Sequence, residues 1–471
     1  SRVNVKVTAT DDGIGIEPPQ LSKWSSNGDN HKATLFFEKD GLYTLNISYT
    51  DMAGNICGEI ATQEFYVDKT APTLRVEGIV DKSANNNSGN IGFKVIAEDK
   101  NFNLFKVHVL GVLNQNGGFV AKELEVGEYT NSTNKSTFVV ENLQDDGVYT
   151  LQCELADMAG NTYNQVILYD TNEKEYVSEL TEADDLLRFS VNRNGSAYSI
   201  DDHTAKLIGQ EGIHYVQNIS RDIVFYEMNA DSVTEAVVTL NGQDLVEGTD
   251  YTRVLEERAD GEWYKYIYTI DRALFFDDAG APIDGEYTVV VSSTDKATNK
   301  GYSDVKGCKV YFVVDTVAPI VTIMSGLVEQ GRYEATQQEV FFRPVDDGGY
   351  LSKVIVRIFD NESKLVTEPL NLSGEVLSEA LAQENGALSF IIPEGYNQVV
   401  QILCYDSSED ENGNVNEAIY QYNDITVSSS KLMIVWSNKT TRWAVAGGGS
   451  ALTVLGLGSV VWAMRKRKRH K

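Results

Sequence analysis

The chain has 471 residues, a formal net charge of −29, four Cys and five His. Because one hydrophobic core rarely supports so long a chain, we expect roughly three or four domains. The hydrophobic fraction of 42% excludes wholesale disorder, and the acidic balance excludes nucleic acid as a favoured partner while suiting cations or basic patches on another protein.

The first three residues are Ser1-Arg2-Val3, so the chain begins with neither an initiator Met nor the apolar stretch of a signal peptide. An exported protein needs such a signal. We therefore expect the natural polypeptide to extend upstream, with a further functional region at its distal end.

One sequence cassette recurs along the chain. It consists of the motif Asp-Gly-x-Tyr, a stretch of alternating apolar and polar residues, and an Asp-x-x-Gly-Asn turn. Alternation with a period of two predicts a β-hairpin with its apolar positions facing a core, and the glycine supplies the positive φ of the turn. The copies occupy residues 40–55, 146–161 and 284–299, the last with Thr298 in place of the turn glycine. A degraded copy with Asp406 and Asn412-Gly413-Asn414 occupies residues 395–414.

The dipeptide Ala-Pro follows the first and third cassettes, at residues 71–72 and 318–319. A proline disfavours helix at the preceding residue, so Ala-Pro predicts an extended linker, with module boundaries near Thr70 and Thr316. The second junction, near residues 170–174, lacks this dipeptide. Residues 175–221 are interpreted as an addition to the third module.

Residues 443–464 contain no charged side chain and are bracketed by Arg442 and Arg465. A helix of about 20 apolar residues spans the ~30 Å hydrocarbon core of a bilayer. Indole rings favour the membrane interface, and a basic cluster favours the cytoplasmic side. The predicted anchor residues are Trp443, Trp462, Arg465, Lys466, Arg467, Lys468 and Arg469.

These observations divide the chain into seven predicted segments. The first module is predicted to be truncated at its N-terminus, and the third to be enlarged at its N-terminal end. The segments are four modules at 1–70, 71–174, 175–316 and 317–428, a juxtamembrane linker at 429–442, a transmembrane helix at 443–464 and a basic cytoplasmic tail at 465–471.

The cassettes and the Ala-Pro linkers resemble the tandem bacterial immunoglobulin-like (Ig-like) repeats of Gram-positive cell-surface proteins, in which Asp-Gly-x-Tyr, Asp-x-x-Gly-Asn and Asp-x-Thr-Ala-Pro motifs recur. The likeness covers nearly all of the predicted ectodomain and is strongest at residues 40–75 and 284–320. It implies an all-β fold of tandem Ig-like β-sandwich modules, followed here by one C-terminal transmembrane α-helix. Such proteins often end in a Leu-Pro-x-Thr-Gly sorting motif, which residues 437–441 lack, so we expect the helix itself to be the anchor.

The resemblance implies a non-enzymatic extracellular stalk on the bacterial surface, held in the cell membrane by a single pass and acting in adhesion or another surface interaction. One alternative makes the modules ancillary to a large surface-anchored hydrolase. Another makes the third module a binding domain for a protein or glycan ligand, with aromatic surface from Trp263, Tyr264, Tyr266 and Tyr268. These tyrosines also alternate as one face of any strand does.

The sequence offers no catalytic constellation. The His are scattered, without His-Glu-x-x-His or zinc spacing, and neither a nucleophile elbow nor a phosphate loop is present. Cys57, Cys153, Cys308 and Cys404 fall one per repeat, so no module holds a pair for an internal disulfide. We therefore expect no enzyme, no catalytic or cofactor-binding residues, and cysteines that serve as small apolar residues.

Carboxylates cluster in the N-terminal loop, at the Asp-x-x-Gly-Asn turns and in the linkers. Ca²⁺ binds several such oxygens at once, and ions at the junctions of cadherin-like arrays stiffen the rod. The alternative interpretation assigns the same side chains to turn and linker hydrogen bonds. The candidate Ca²⁺ ligands are Asp11, Asp12, Asp51, Asp68, Asp157, Asp295 and Asp315.

Overall fold

Strands dominate the fold and helices are few, which confirms the predicted all-β class. Three sandwiches, each with its own buried apolar core, follow a smaller N-terminal unit. Because that unit is the first module, the sandwiches are numbered second, third and fourth, as their modules are. The computed structural model describes residues 20–21, 23, 25–27, 30–46, 61–86, 89–115, 118–170, 172, 174–180, 184–207, 214–259, 261–301, 308–347, 350–383 and 385–437.

In its described residues the first unit contains three antiparallel strand pairs, β1 with β4, β2 with β3 and β5 with β6. The buried ring of Tyr43 lies 4.8 Å from the ring of Phe37 and 5.8 Å from that of Phe65. The strands are β1 Gln20–Leu21, β2 Ser25–Asn27, β3 Asn30–Lys32, β4 Leu35–Phe36, β5 Gly41–Leu45 and β6 Gln63–Val67.

The second sandwich pairs a sheet of order β12-β13-β9-β7-β15-β16 with a sheet of order β11-β10-β14-β17-β8. Apolar residues on alternate positions of both sheets meet in one core. The strands are β7 Thr73–Glu77, β8 Ala84–Asn85, β9 Phe93–Glu98, β10 Phe102–Gln115, β11 Gly118–Glu123, β12 Glu128–Asn131, β13 Lys135–Val140, β14 Gly147–Asp157, β15 Gln165–Tyr169, β16 Glu175–Glu179 and β17 Leu187–Val191.

The third sandwich repeats this strand order without counterparts of β15 and β16, with β23-β24-β20-β18 in one sheet and β22-β21-β25-β27-β19 in the other. Its elements are β18 Ala197–Ile200, α1 Asp202–Leu207, β19 His214–Val216, β20 Ile223–Asn229, β21 Val233–Leu240, β22 Gln243–Asp244, β23 Tyr251–Leu255, β24 Tyr264–Ile270, a 3₁₀ helix Arg272–Phe275, β25 Gly285–Asp295, β26 Lys300–Gly301 and β27 Lys309–Val314.

The fourth sandwich has the sheets β33-β30-β28 and β32-β31-β34-β35-β29. The cassette strand, which is β14, β25 or β34, therefore lies beside the last strand of its own sandwich each time. The elements are β28 Ile320–Ser325, β29 Arg332–Tyr333, β30 Gln337–Val345, β31 Lys353–Phe359, β32 Leu370–Ser373, α2 Gly374–Gln383, β33 Leu388–Pro393, β34 Gly395–Glu409, β35 Val415–Val427 and α3 Lys431–Ser437.

The strand pairing differs from the predicted boundary between residues 174 and 175. β16 pairs with β15 and β17 pairs with β14, and Leu187 and Phe189 lie in the core of the second sandwich. Residues 175–191 thus complete the second module and do not enlarge the third. The hairpin of β15 and β16 is inserted between the cassette turn and the last strand, β17. More residues therefore separate β17 from its cassette turn than separate the last strand of the first unit, β6, from its own.

The predicted membrane span at residues 443–464, the basic tail at 465–471 and all of the predicted anchor residues lie outside the described residues. Within the part of the chain that the structure describes, no helix has the length and apolar character needed to cross a bilayer.

The tyrosine of the Asp-Gly-x-Tyr motif forms a tyrosine corner. The hydroxyl groups of Tyr43, Tyr149 and Tyr287 each donate a hydrogen bond to the backbone carbonyl four residues upstream, at distances of 2.8, 2.6 and 2.8 Å. These tyrosines are buried, so the bond satisfies a hydroxyl that water does not reach. The motif therefore fixes the entry of the cassette strand.

We expect Tyr149→Phe to lower the free energy of unfolding of the second sandwich by about 1 kcal/mol, because it leaves the carbonyl of Asp145 without this donor. Native-state hydrogen exchange of the full chain, resolved to peptides of β14 and β17, measures the change. Tyr176→Phe, at an exposed tyrosine of the same sandwich, is the control. Equal effects of the two substitutions would contradict this role for the hydroxyl.

Candidate functional site at the module junctions

Each junction begins at the residue that follows a last strand. Val67, Val191 and Val314 end β6, β17 and β27. The next residues, Asp68, Asn192 and Asp315, are the first linker residues and lie against the following sandwich. The three junctions can therefore be compared position by position.

The preceding module holds the linker through the acidic residue of its Asp-Gly-x-Tyr motif. Asp40 accepts from the Lys69 N–H at 2.9 Å and from the Thr70 hydroxyl at 2.5 Å. Asp284 accepts from the N–H of Thr316 at 2.9 Å and from its hydroxyl at 3.2 Å. The linker backbone is thus fixed to the module that it leaves.

The same contact recurs at the other two exits. Asp146 accepts from the N–H groups of Arg193 and Asn194 at 2.8 and 2.9 Å. In the fourth sandwich Glu394 takes this position and accepts from the N–H of Ser429 at 2.9 Å. The hydrogen bond from the Ser429 N–H lowers the pKa of Glu394, because it stabilises the charged form of this carboxyl group.

The following module holds the linker through an asparagine amide. Asn161 donates to the carbonyl of Asp68 at 3.0 Å, Asn299 to that of Asn192 at 2.7 Å and Asn416 to that of Asp315 at 3.1 Å. Asn161 ends an Asp-x-x-Gly-Asn turn, and Asn299 ends the equivalent turn of the third cassette, in which Thr298 takes the glycine position with a φ of 69°. The turn motif therefore links neighbouring modules as well as closing its own hairpin.

The fourth cassette differs from its sequence prediction. Asp410, and not Asp406, closes the turn with Asn414, whose N–H and side-chain amide both donate to it at 2.8 Å. Asp406 instead accepts from the Asn416 amide at 2.8 Å. The hairpin is longer here, since β34 continues to Glu409 and β35 begins at Val415, and this separates the turn from the junction.

At the first junction three carboxylates converge. Asp68, Asp99 and Asp157 each place one oxygen within 4.8 Å of the other two. Asn101 donates to Asp68 at 2.7 Å, and burial followed by the charges of its two neighbours raises the pKa of Asp99. This cluster is partly exposed.

The third junction has an equivalent cluster of Asp315, Asp346 and Asp406, whose oxygens again lie within 4.8 Å of one another and whose residues are all buried. Asp315 accepts from the Ser408 hydroxyl at 3.2 Å, and Asp406 from the Ser408 N–H at 2.9 Å. Burial raises the pKa of Asp406 to about 7, and the neighbouring carboxylates add to the shift. Burial likewise raises the pKa of Asp346, with Asp315 contributing.

The second junction has an amide where the others have a carboxylate. The Asn192 side-chain N–H groups donate to Asp295 at 2.9 Å, to Asp231 at 3.1 Å and to the amide oxygen of Asn229 at 2.6 Å. All of these side chains are buried. Here one side-chain amide of the protein donates a hydrogen bond to each of the two carboxylates.

The structure thus brings three of the seven predicted Ca²⁺ ligands, Asp68, Asp157 and Asp315, into carboxylate triads. Asp295 lies at the second junction beside Asn192. Asp11, Asp12 and Asp51 lie outside the described residues. Metal binding by any of the seven stays a prediction.

The candidate ligands chosen from the sequence lacked one strand-end carboxylate at every junction, and at the third junction they also lacked Asp406, which was assigned to the cassette turn. Asp99 and Asp346 immediately follow β9 and β30, and Asp231 comes two residues after β20. They lie far in sequence from the cassette and the linker, and no motif surrounds them. Aligning the modules on their cassettes would have shown an acid at the end of the same strand in each.

The aromatic residues considered as ligand-binding surface are engaged within the protein. Tyr266 and Tyr268 belong to the core of the third sandwich. The Trp263 indole N–H donates to the Val112 carbonyl of the second sandwich at 2.7 Å, and its ring lies 5.1 Å from that of Phe119. These contacts leave little of this surface for a ligand.

The described cysteines, Cys153, Cys308 and Cys404, are buried in separate cores and carry no disulfide. Burial raises the pKa of Cys404 to about 12, so its thiol stays protonated at neutral pH. Cys57 lies outside the described residues.

A family model described as a bacterial Ig-like domain matches residues 18–69. Residues 18–69 are similar to a bacterial Ig-like domain. Together with the strand-rich architecture, this match supports the Ig-like part of the predicted fold. A search of curated proteins gave no significant match.

Among solved structures, the crystal structure of dimeric latent PorU from Porphyromonas gingivalis matches over 79% of this chain at 8% identity, with a TM-score of 0.18. The match covers 36% of that chain. The chain therefore spans well under half the length of that protein, and a likeness of this size carries no argument about function.

We expect Asp231 to make the second junction more stable as the pH falls from 7.5 to 5. Burial, opposed by the Asn192 amide, raises the folded-state pKa of Asp231 from 3.8 to about 6. A raised pKa means that the folded state binds the proton more tightly, so this contribution is complete below pH 3.8 and is lost as the pH rises through 6.

The measurement compares the full chain with Asp231→Asn by calorimetry at several pH values. The difference in melting temperature should change between pH 5 and 7.5, with the wild type losing stability relative to the variant. A difference that is constant over this range would contradict the raised pKa.

Proposed function

We propose that this chain is a non-enzymatic extracellular stalk of a bacterial surface protein, made of tandem Ig-like modules joined by stiff junctions. The observation that carries the proposal is the hydrogen bonding of each linker to both of its neighbours. At the third junction, for example, Thr316 is bonded to Asp284 of the preceding module, and Asp315 to Asn416 of the following one. A linker held on both sides resists bending.

Further contacts cross the second junction. The Lys296 ammonium donates to the Lys82 carbonyl at 2.7 Å, and the Asn86 amide donates to the Thr298 hydroxyl at 3.1 Å. They lie near the Asn192 linker but join the bodies of the two sandwiches. With the Trp263 contact they hold the second and third modules at several separate points, which restricts rotation as well as bending.

The third and fourth modules share a sheet. β19 pairs in parallel with β27 of its own sandwich and also bridges β34 of the next, at Val216 and Glu409. Gln217 extends this contact, because its N–H donates to the Glu409 carbonyl at 3.0 Å and its amide to the Ser408 carbonyl at 2.9 Å. These hydrogen bonds between β19, Gln217 and β34 support a rod that keeps its direction across the junction.

The proposal places the C-terminal end of the stalk at the cell membrane. Its support is the uncharged run at residues 443–464 and the basic cluster that follows. The acidic balance of the remaining chain suits a soluble, mutually repelling surface layer. In this arrangement the modules hold a surface interaction, such as adhesion, away from the bilayer.

We expect Asp284→Ala to make the third junction flexible, because it removes both side-chain acceptors of Thr316. Small-angle scattering of the full chain in detergent, with the micelle contribution matched out, should show a shorter and broader distribution of maximum dimensions. Asp244→Ala, at an exposed residue of the same module, is the control. Unchanged scattering from Asp284→Ala would contradict the stiff-junction proposal.

We expect deletion of residues 443–471 to release the protein from the membrane. The experiment expresses both forms in a bacterial host behind an export signal and assays membrane and medium fractions. A matched replacement of residues 465–471 by neutral polar residues should retain membrane association, because the apolar run remains. Retention of the deleted form in the membrane fraction would overturn the anchor.

A further inference from the structure

The third junction contains a buried carboxyl oxygen that the protein does not satisfy. Asp346 is 7% exposed, and its Oδ2 accepts from the N–H of Tyr350 at 3.2 Å. Its Oδ1 has no hydrogen-bond partner among the described residues. Asp346 belongs to the triad with Asp315 and Asp406, which are 6% and 0% exposed.

An unpaired, buried carboxyl oxygen is costly, because it has lost its water without gaining a donor. Here the cost is compounded by two further carboxylates within 4.8 Å. Within the described part of the chain, no Lys, Arg or His side chain forms an ion pair with any of the three; their donors are backbone N–H groups and the side chains of Ser408 and Asn416. These neutral donors leave the triad short of positive charge.

We propose that Asp315, Asp346 and Asp406 bind a Ca²⁺ ion at the junction of the third and fourth modules. Ca²⁺ is a hard cation that takes oxygen ligands at about 2.3–2.6 Å, so oxygens that share one ion lie within about 5 Å of each other. The triad meets this limit. The unpaired Oδ1 of Asp346 gains the partner that it lacks.

The second junction is an internal comparison for this site. Asn192 occupies the position of Asp315, and its amide donates to Asp231 and Asp295, the counterparts of Asp346 and Asp406. Neither Asp231 nor Asp295 has a buried unpartnered oxygen in the part of the chain that the structure describes. One amide thus takes the place of the cation, and the second junction is assigned no ion.

The ion would join residues of two modules. Asp315 continues β27, and its N–H donates to the Val216 carbonyl of the third module at 2.9 Å, whereas Asp346 and Asp406 belong to the fourth. A shared ion therefore adds a charged link to the neutral hydrogen bonds of this linker. The site stands on its own residues and does not depend on the proposed stalk function.

The test measures Ca²⁺ binding to the full chain in mild detergent by equilibrium dialysis with ⁴⁵Ca²⁺, after removal of bound metal by chelation. Asp346→Asn removes the charge of one ligand and places an NH₂ group on one of its two oxygen positions, and Asp315→Asn reproduces the arrangement that Asn192 makes at the second junction. The matched control is Asp231→Asn, which changes the net charge by the same amount at the equivalent position of the third module.

We expect each of the two triad variants to bind one equivalent less than the wild type, and Asp231→Asn to bind as the wild type does. Equal binding by the wild type and both triad variants would overturn the site. An equal loss in all three variants would also overturn it, because it would show a general attraction of Ca²⁺ to an acidic protein.

Tb³⁺ luminescence supplies a local readout that does not rely on stoichiometry. Tyr350 bonds to Asp346 through its N–H, and its ring centroid lies 3.8 Å from that of Tyr215, so both rings can sensitise a lanthanide in the triad. Tyrosine-sensitised emission that Ca²⁺ displaces, and that Asp346→Asn reduces at least tenfold, supports the site. Undiminished emission from a variant whose circular dichroism in EDTA matches the wild type excludes it.

Discussion

The architecture depends on one interaction: a carboxylate at the start of the cassette strand accepts hydrogen bonds from the residues that leave the last strand. Asp40, Asp146, Asp284 and Glu394 all make this contact. The cassette strand and the last strand are neighbours in one sheet, so the carboxylate lies beside the exit of the chain. The preceding module thereby fixes the direction of the linker, and the direction of the linker sets the orientation of the next module.

The electrostatic character of each junction rests on a single position. At each junction the following module supplies an asparagine amide that donates to the linker backbone, and it also supplies two acidic side chains. Only the first linker residue differs, being an aspartate at the first and third junctions and Asn192 at the second. An amide brings two N–H donors to the paired acids, and a carboxylate brings further negative charge. Replacing NH₂ by O at this position converts a junction that satisfies itself into one that carries an excess of buried charge.

The sequence was sufficient to predict the all-β class, because apolar and polar residues alternate in each cassette and glycine turns act locally. Ala-Pro likewise marked two of the linkers. It was insufficient at the second junction, where the β15–β16 hairpin delays the last strand and Asn192 is followed by no Ala-Pro. The roles of Asp346 and Asn416 were missed for a related reason. Their function arises only when strands distant in sequence are brought to one end of a sandwich, and no local pattern reports that.

The strand β19 has a consequence for how the chain unfolds. It is hydrogen-bonded on one edge to its own module and on the other to the next, so melting the fourth module exposes an edge of the third. Neighbouring modules then gain or lose structure together, and the free energy of the array includes an interface contribution from each pair as well as a contribution from each module. Damage at one place, such as a proteolytic cut, therefore weakens the adjacent sandwich before it reaches the rest of the chain.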